Sequence, residues 1–590
     1  MAGKKFGSLF QGILDKSPEM ADRLREMARG EKTQPTRHSP EQDQRGKTPP
    51  QSKGVSPNPP KRKRNSDRLE GVVVEKRSIT PRTRKKQKSN EAKPPPSHRE
   101  SNAGLPSTAP SRPQAGKQVG QQSDLGSRFF DGVPENAHQF GLKDGSTKLD
   151  IVVGVDFGTS STKVVVHAPH YAGNPAFAVP FGDLAHKSLE HLLPTRLFVG
   201  KDGRCSLTPV SEASVLTDIK LGLMRAPLSK IEPASGPSCG ASATAVATAY
   251  LALVLRYVRC WFIANKRKVF GGFSLNWSCN LGLPAAIDDD VTLRETFNMA
   301  GKAAWIVSRR PGQVTIGAAQ KAIDDIKNSR FETEDMPWEF ELIPEVIAEV
   351  TGYARSQFRN EGLHILVDIG ASTLDVCSFI LHEKEGDDDF PILTADVGLL
   401  GAKRLHLARI DGAKSAVVVH AADLVDEGDP ASMIPEDVAD YVPSDQEICD
   451  EAANAEEAFK ADCKRLLYRT LADLRKRRDP HSSRWSEAFP VFVCGGATAM
   501  QAYQEAVAGV GEWLQQHIRS SHGARLVRLP KPESLEADIS DQSYHRLAVA
   551  WGLSHESFNI GTYSRPSEID DIPPRTVRNI EDAYISKDMV

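Results

Sequence analysis

One short pattern occurs twice in this chain and limits what it can fold into. Leu149-Asp150-Ile151-Val152-Val153-Gly154-Val155 is a β-branched run that reads as a buried strand, and it ends in Asp156-Phe157-Gly158-Thr159-Ser160-Ser161-Thr162-Lys163 before a second apolar run, Val164-Val165-Val166. The arrangement returns 212 positions later, where His364-Ile365-Leu366-Val367 leads into Asp368-Ile369-Gly370-Ala371-Ser372-Thr373-Leu374-Asp375-Val376. Each time two strands meet at a Gly- and hydroxyl-rich hairpin with a carboxylate at its entrance. A single Asp-x-Gly turn is common, but two in one frame predict a duplicated α/β domain with a cleft between its halves.

The residue types at these turns suit phosphate. Gly158 and Gly370 permit close backbone approach, and the turn amides and hydroxyls can donate to phosphate oxygens. The carboxylate at the strand end can hold hydrated Mg²⁺. A third element, Pro490-Val491-Phe492-Val493-Cys494-Gly495-Gly496-Ala497-Thr498, reads as a buried strand, a Gly-Gly turn and a helix start. After two phosphate-type hairpins, it is the expected nucleoside-binding turn.

Charge and proline separate this region from what precedes it. Residues 1–147 carry 29 Lys and Arg against 16 Asp and Glu, a net of +13, while 148–590 have a net of −15. The same segment holds 16 of the 39 prolines and no aromatic residue between Phe10 and Phe129. It cannot bury enough apolar area to offset ordering entropy, so 31–147 is expected to be a disordered basic, Pro-rich tail. Ahead of it, Phe6, Leu9, Phe10, Ile13 and Leu14 fall at helical spacing, which predicts a short amphipathic helical segment within 1–30 able to dock a protein partner. The clusters Lys61-Arg62-Lys63-Arg64 and Arg82 to Lys88 read as nuclear addresses in a eukaryotic setting, or as nonspecific contacts to nucleic-acid phosphates. Between Asp423 and Glu457, 13 of 35 residues are acidic and none is Lys or Arg, which predicts an exposed arm able to pair loosely with the tail. The longest apolar helix, about 241–264, contains Arg256 and Arg259, costly at mid-bilayer depth, so the expectation is a soluble, intracellular, cytoplasmic or nuclear protein without a membrane partner.

In this order the three motifs resemble the phosphate-one, phosphate-two and adenosine motifs of the superfamily that unites actin, sugar kinases and heat-shock chaperones. Asp218-Ile219-Lys220 and the Leu342-Ile343-Pro344-Glu345 helix start resemble the DnaK-type heat shock protein 70 branch, as do Asn280 to Ala285 and the closing Leu547 to Gly552. The resemblance implies an actin-like ATPase fold over 148–557, with two ribonuclease-H-like lobes around a nucleotide cleft, an acidic insertion at about 423–457 and a flexible tail at 558–590. It implies ATP/ADP and Mg²⁺ as ligands, with Asp156 and Asp368 on the metal, mainly through water. Gly158, Thr159, Ser160, Gly370, Ala371, Ser372 and Thr373 would lie beside the phosphates, and Lys464, Gly495, Gly496 and Ala497 beside the nucleoside. Lys220, Glu345, Asp368 and Asp375 would carry the chemistry: Lys220 on the γ-phosphate, the carboxylates on the metal waters and the attacking water.

Departures from the family pattern are specific. Ala371-Ser372 stands where two glycines are usual, Ala461 where a glutamate is usual, and Met500 close to where an arginine is usual. With 36 residues following Ser554, no peptide-gripping domain is expected. The expected activity is therefore a slowly hydrolysing, nucleotide-dependent switch acting on a protein partner. The alternatives are a non-hydrolysing scaffold and a sugar-kinase-like phosphotransferase, the latter because Gly158 to Lys163 also resembles that branch.

Overall fold

A computed structural model describes residues 146–186, 189–413, 434–441, 450–520 and 522–572. The 1–30 segment, nearly all of the 31–147 tail, most of the acidic stretch and 573–590 lie outside the described residues.

The described chain is mixed α/β. Its first sheet uses β1 (Lys148–Phe157), β2 (Ser161–His167), β3 (Ala176–Ala178) and β4 (Leu193–Pro194); β5 (Leu197–Val199), β6 (Cys205–Ser206) and β7 (Ser214–Leu216) form a small separate sheet. Then come β8 (Ser274–Leu283) and β9 (Phe340–Pro344), again in the first sheet. The second sheet contains β10 (Gly362–Ile369), β11 (Leu374–Lys384), β12 (Asp387–Gly398), β13 (Phe489–Cys494) and β14 (Ala524–Val527). Short β15 (Leu535–Glu536) returns to the edge of the first sheet beside β3, and β16 (Thr562–Ser564) to the edge of the second beside β12.

The two sheets repeat one topology. The first runs β3-β2-β1-β8-β9 and the second β12-β11-β10-β13-β14. In each, the first three strands of the chain form an antiparallel meander and the last two add in parallel to its first strand. The duplicated turn therefore sits inside a duplicated sheet.

Helices cover the outer faces. Beyond the first sheet lie α1 (Ile219–Arg225), α2 (Ala243–Phe270), α3 (Ala285–Asp288), α4 (Val291–Arg309) and α5 (Ile316–Lys327). After β9 comes α6 (Glu345–Ala354); α7 (Ala402–Ala413), α8 (Asp450–Asp473) and α9 (Gln501–Trp513) pack with the second sheet; α10 (Ala548–Leu553) and α11 (Ser557–Ile560) end the helical set. The most apolar window of α2 is 94% buried, and its two arginines are used inside the protein. Arg256 donates to the carbonyls of Val307, Ser308, Arg310 and Gly312, satisfying the orphan acceptors at the end of α4, while Arg259 lies over the Trp305 ring and donates to Ser308 Oγ.

A third core joins the sheets. Val346, Ile347 and Val350 of α6 and Leu547, Ala548 and Ala550 around α10 pack with Val165 of the first sheet and with Leu366, Phe379 and Phe492 of the second. At its edge His167 Nδ1–H donates to the Ser554 carbonyl, and the His167 and His555 rings lie 4.8 Å apart. Burial lowers the His167 pKa to about 4, against the opposing pull of its carbonyl bonds and with help from Arg355 and His170. Because the folded value lies below the unfolded 6.5, the stability tied to neutral His167 is fully present above pH 6.5 and is lost as pH falls toward 4. His167→Gln is expected to flatten that part of the pH–stability curve by about 3 kcal/mol in urea titrations run between pH 4 and 7.

One boundary differs from the sequence expectation. Residues 558–572 are not a free tail: β16 pairs with β12, and Arg565 donates to Asp288 Oδ2 at the end of α3. Within the acidic stretch, Arg409 binds Glu456 and the carbonyls of Pro435 and Glu436, which ties these residues to α7.

Candidate functional site

Strand alternation aims both hairpin carboxylates at the same place. In β1, Ile151, Val153 and Val155 enter the core under α2, and the intervening residues face the central layer, where Gly154 lies against the Ala550 carbonyl. Asp156 continues that inner face and is 6% exposed. In β10, Leu363, Ile365, Val367 and Ile369 face the outer core and Leu366 the central one, so Asp368 likewise points inward.

The partner across each turn differs. Asp156 stands opposite Lys163, whose Nζ lies 2.9 Å from Asp156 Oδ2. Asp368 stands opposite Asp375, a like-charge pair. One hairpin is thus neutralised internally and the other is not.

Around these turns lies a cleft with about 810 Å³ of free space, open solvent at its mouth included. Asp156, Gly158, Thr159 and Ser160 line one wall, and Asp368, Gly370, Ala371, Thr373 and Asp375 the other, with Gly495, Gly496 and Ala497 completing it. Lys220, from the first turn of α1, donates to Glu345 Oε1 at 2.6 Å, and Glu345 opens α6 directly after β9. Thr195 braces the first turn by donating to the Gly158 carbonyl, and Tyr250 donates to Thr162. Gly495 has a reason to be glycine: its φ is +91°, and a Cβ there would stand 2.2 Å from Asp368 Oδ1 and 2.4 Å from the Ile369 carbonyl.

Two expected contacts are absent from the lining. Ser372 is buried, and its carbonyl accepts from Gly401 N–H, because the start of α7 closes over the turn. Lys464 lies along α9 beside Gly509; Cys463 and Leu467 turn into the core and leave Lys464 facing that helix. Lining residues outside the expected set include Glu349, His545 and Arg546. Glu349 had a signal, the four-residue spacing from Glu345 that puts both on one helix face. His545 and Arg546 had none, since they precede α10 in a stretch with no recognisable pattern.

The electrostatics are lopsided. Burial acts to lower the Lys220 pKa, but Glu345, Asp156 and Asp375 more than offset it and hold the ammonium above its ordinary range. Burial, reinforced by Glu345, pushes Asp368 up to about 6. Burial and then Asp368 push Asp375 and Glu349 well above the usual carboxylate range. Glu349 Oε1 and Asp375 Oδ1 are buried without a hydrogen-bond partner. All-oxygen donors, crowded and short of positive charge, fit a hard divalent cation such as Mg²⁺.

A scan against models of protein families matches none, and a search of curated proteins finds no relative.

Proposed function

We propose that this chain binds ATP and ADP with Mg²⁺ in the cleft and hydrolyses ATP slowly, as an actin-like ATPase of the heat shock protein 70 type whose lobes open and close for a protein partner. One observation carries the reading: two sheets of identical strand order, as in paired ribonuclease-H-like lobes, each send a hairpin Asp, Asp156 and Asp368, into one cleft. Phosphoryl transfer asks little covalent chemistry of a protein, so positioning and charge compensation suffice. Gly158, Thr159 and Ser160 on one side and Gly370 and Thr373 on the other offer amides and hydroxyls to phosphate oxygens. Lys220 offsets charge developing on the γ-phosphate. Asp368 and Asp375 orient water and accept its proton, a role for which carboxyl groups with raised pKa are suited. Mg²⁺, when bound, neutralises phosphate charge.

A second reading, nucleotide binding without turnover, is favoured by Ala371, whose methyl group occupies the second turn where a glycine would leave bare backbone. Calorimetric titration of the full chain with ATP and ADP in Mg²⁺ tests the shared premise. Micromolar binding is expected, lost in both Asp156→Ala and Asp368→Ala; a folded wild type that binds neither nucleotide removes both readings and leaves a scaffold. Phosphate release from the ATP complex then separates turnover from simple binding.

A further inference from the structure

The two edges of the second sheet are treated differently. At one, β16 is added to β12; at the other, β14 pairs with β13 alone among the described residues. Phe489 N–H donates to the Gly523 carbonyl. In this parallel register Arg525 and Val527 spend their backbone groups on β13, so the amide and carbonyl of Leu526 point away from the sheet. Leu526 is 64% exposed, and no described residue bonds its backbone from outside.

The rim of that edge carries one sign of charge. From Trp513 to Pro532, six of 20 residues are Arg, Lys or His and none is Asp or Glu. Arg519, His522, Arg525 and Arg528 are exposed, and the three arginines pair with no carboxylate among the described residues. Strand alternation puts Arg525 on the face of Val527, which packs toward the central core, and Arg528 on the face of Leu526. A strand laid along β14 would have a guanidinium on either side of it. Charge on an edge also guards against aggregation, but a guard has no use for a bare leucine between its charges. The one Phe, Tyr or Trp of the stretch, Trp513, is buried, so no large ring is presented for a nucleic-acid base to stack on.

We infer that β14 is a docking edge for an acidic, extended segment of a protein partner, which joins the second sheet as a further strand. Main-chain bonds to Leu526 supply affinity, and the arginine rim selects acidic side chains. The inference does not rest on the nucleotide reading, since none of these residues lines the cleft.

The test is hydrogen–deuterium exchange of the full chain, read by mass spectrometry over 522–528, with and without a synthetic peptide of alternating Glu and Val. One added main-chain bond is worth about 1 kcal/mol, so exchange at Leu526 should slow about fivefold at saturating peptide. A peptide of alternating Lys and Val should give no protection. Arg525→Gln/Arg528→Gln should lose the protection by removing the charge. Leu526→Pro should lose it at unchanged charge, because proline removes the outward N–H and leaves the bonds to β13 in place. The two variants serve as alternates should one misfold by circular dichroism. Four outcomes overturn the inference. They are no protection of the folded wild type, equal protection by the Lys-Val peptide, protection by an oligothymidylate in place of the Glu-Val peptide, and full protection in a folded variant. A fifth is protection that rises with protein concentration alone and accompanies a dimer in sedimentation, which would give the edge to a second copy of this chain.

Discussion

Lys220→Met is expected to abolish most turnover and to destabilise the fold by roughly 3–5 kcal/mol, the cost of leaving one member of a buried ion pair alone. Lys220 is 5% exposed, and its Nζ sits 2.6 Å from Glu345 Oε1. Without it, Glu345 keeps Asp156, Glu349, Asp368 and Asp375 as cleft neighbours and has lost its ion-pair partner. Glu345 would then take up a proton, so the penalty should be smaller at pH 5 than at pH 8. Denaturant melts at both values check the sign. The double variant Lys220→Met/Glu345→Gln should recover most of the stability, because a neutral amide of the same shape no longer needs a cation. It should not recover ATP hydrolysis, where loss of a charge-stabilising donor is worth on the order of 10²–10³ in rate. A double variant that regains turnover would reduce Lys220 to a structural counter-ion, and a single variant as stable as wild type would remove it from the buried pair altogether.

What made the cleft legible from sequence was the coupling of two periods. Alternation along Leu149 to Val155 and Leu363 to Val367 sets which face is core, and the Asp that follows each run inherits the opposite face. Repetition of the turn then implied a second sheet, and the strand orders match. Side-chain direction in irregular or helical segments was less accessible. Ser372 belongs to a hydroxyl-rich turn by composition, yet the arrival of α7 thirty residues later in the chain decides that it is covered. Lys464 sits one position from Cys463, and only the packing of α8 on α9 fixes which of the two enters the core. Residues 558–572 look like tail because they are short, polar and Pro-containing, but a three-residue strand needs only an open sheet edge, and β12 provides it. Glu349 was hidden for a different reason. An acidic residue on a helix is usually solvated, and nothing local says that this helix lies between two sheets.

That position makes α6 the element through which the fold can disturb the site, and Gly552→Ala should show it. A Cβ at Gly552 would fall 1.8 Å from the Ala348 carbonyl oxygen, so α10 and α6 touch backbone to backbone. Neither can retreat freely: behind α10, the Ala550 carbonyl and the Ser554 amide nitrogen each come within 2.4 Å of where a Gly154 Cβ would stand on β1. The extra methyl must therefore push α6, costing about 1–3 kcal/mol or more as overpacking in a closed layer. Glu345 and Glu349 lie beside Ala348 on that helix and line the cleft, so the displacement should weaken nucleotide binding, at temperatures where the variant is still folded. Gly317→Ala is the matched control. It lies in α5 with nothing nearer than 3.9 Å to the added carbon, and alanine there should be neutral or stabilise by up to about 1 kcal/mol. Equal melting temperatures for the two variants would mean that the α6–α10 contact yields without strain. A destabilised Gly552→Ala with unchanged nucleotide affinity would mean that the cleft is positioned by the hairpins alone, independently of the layer between them.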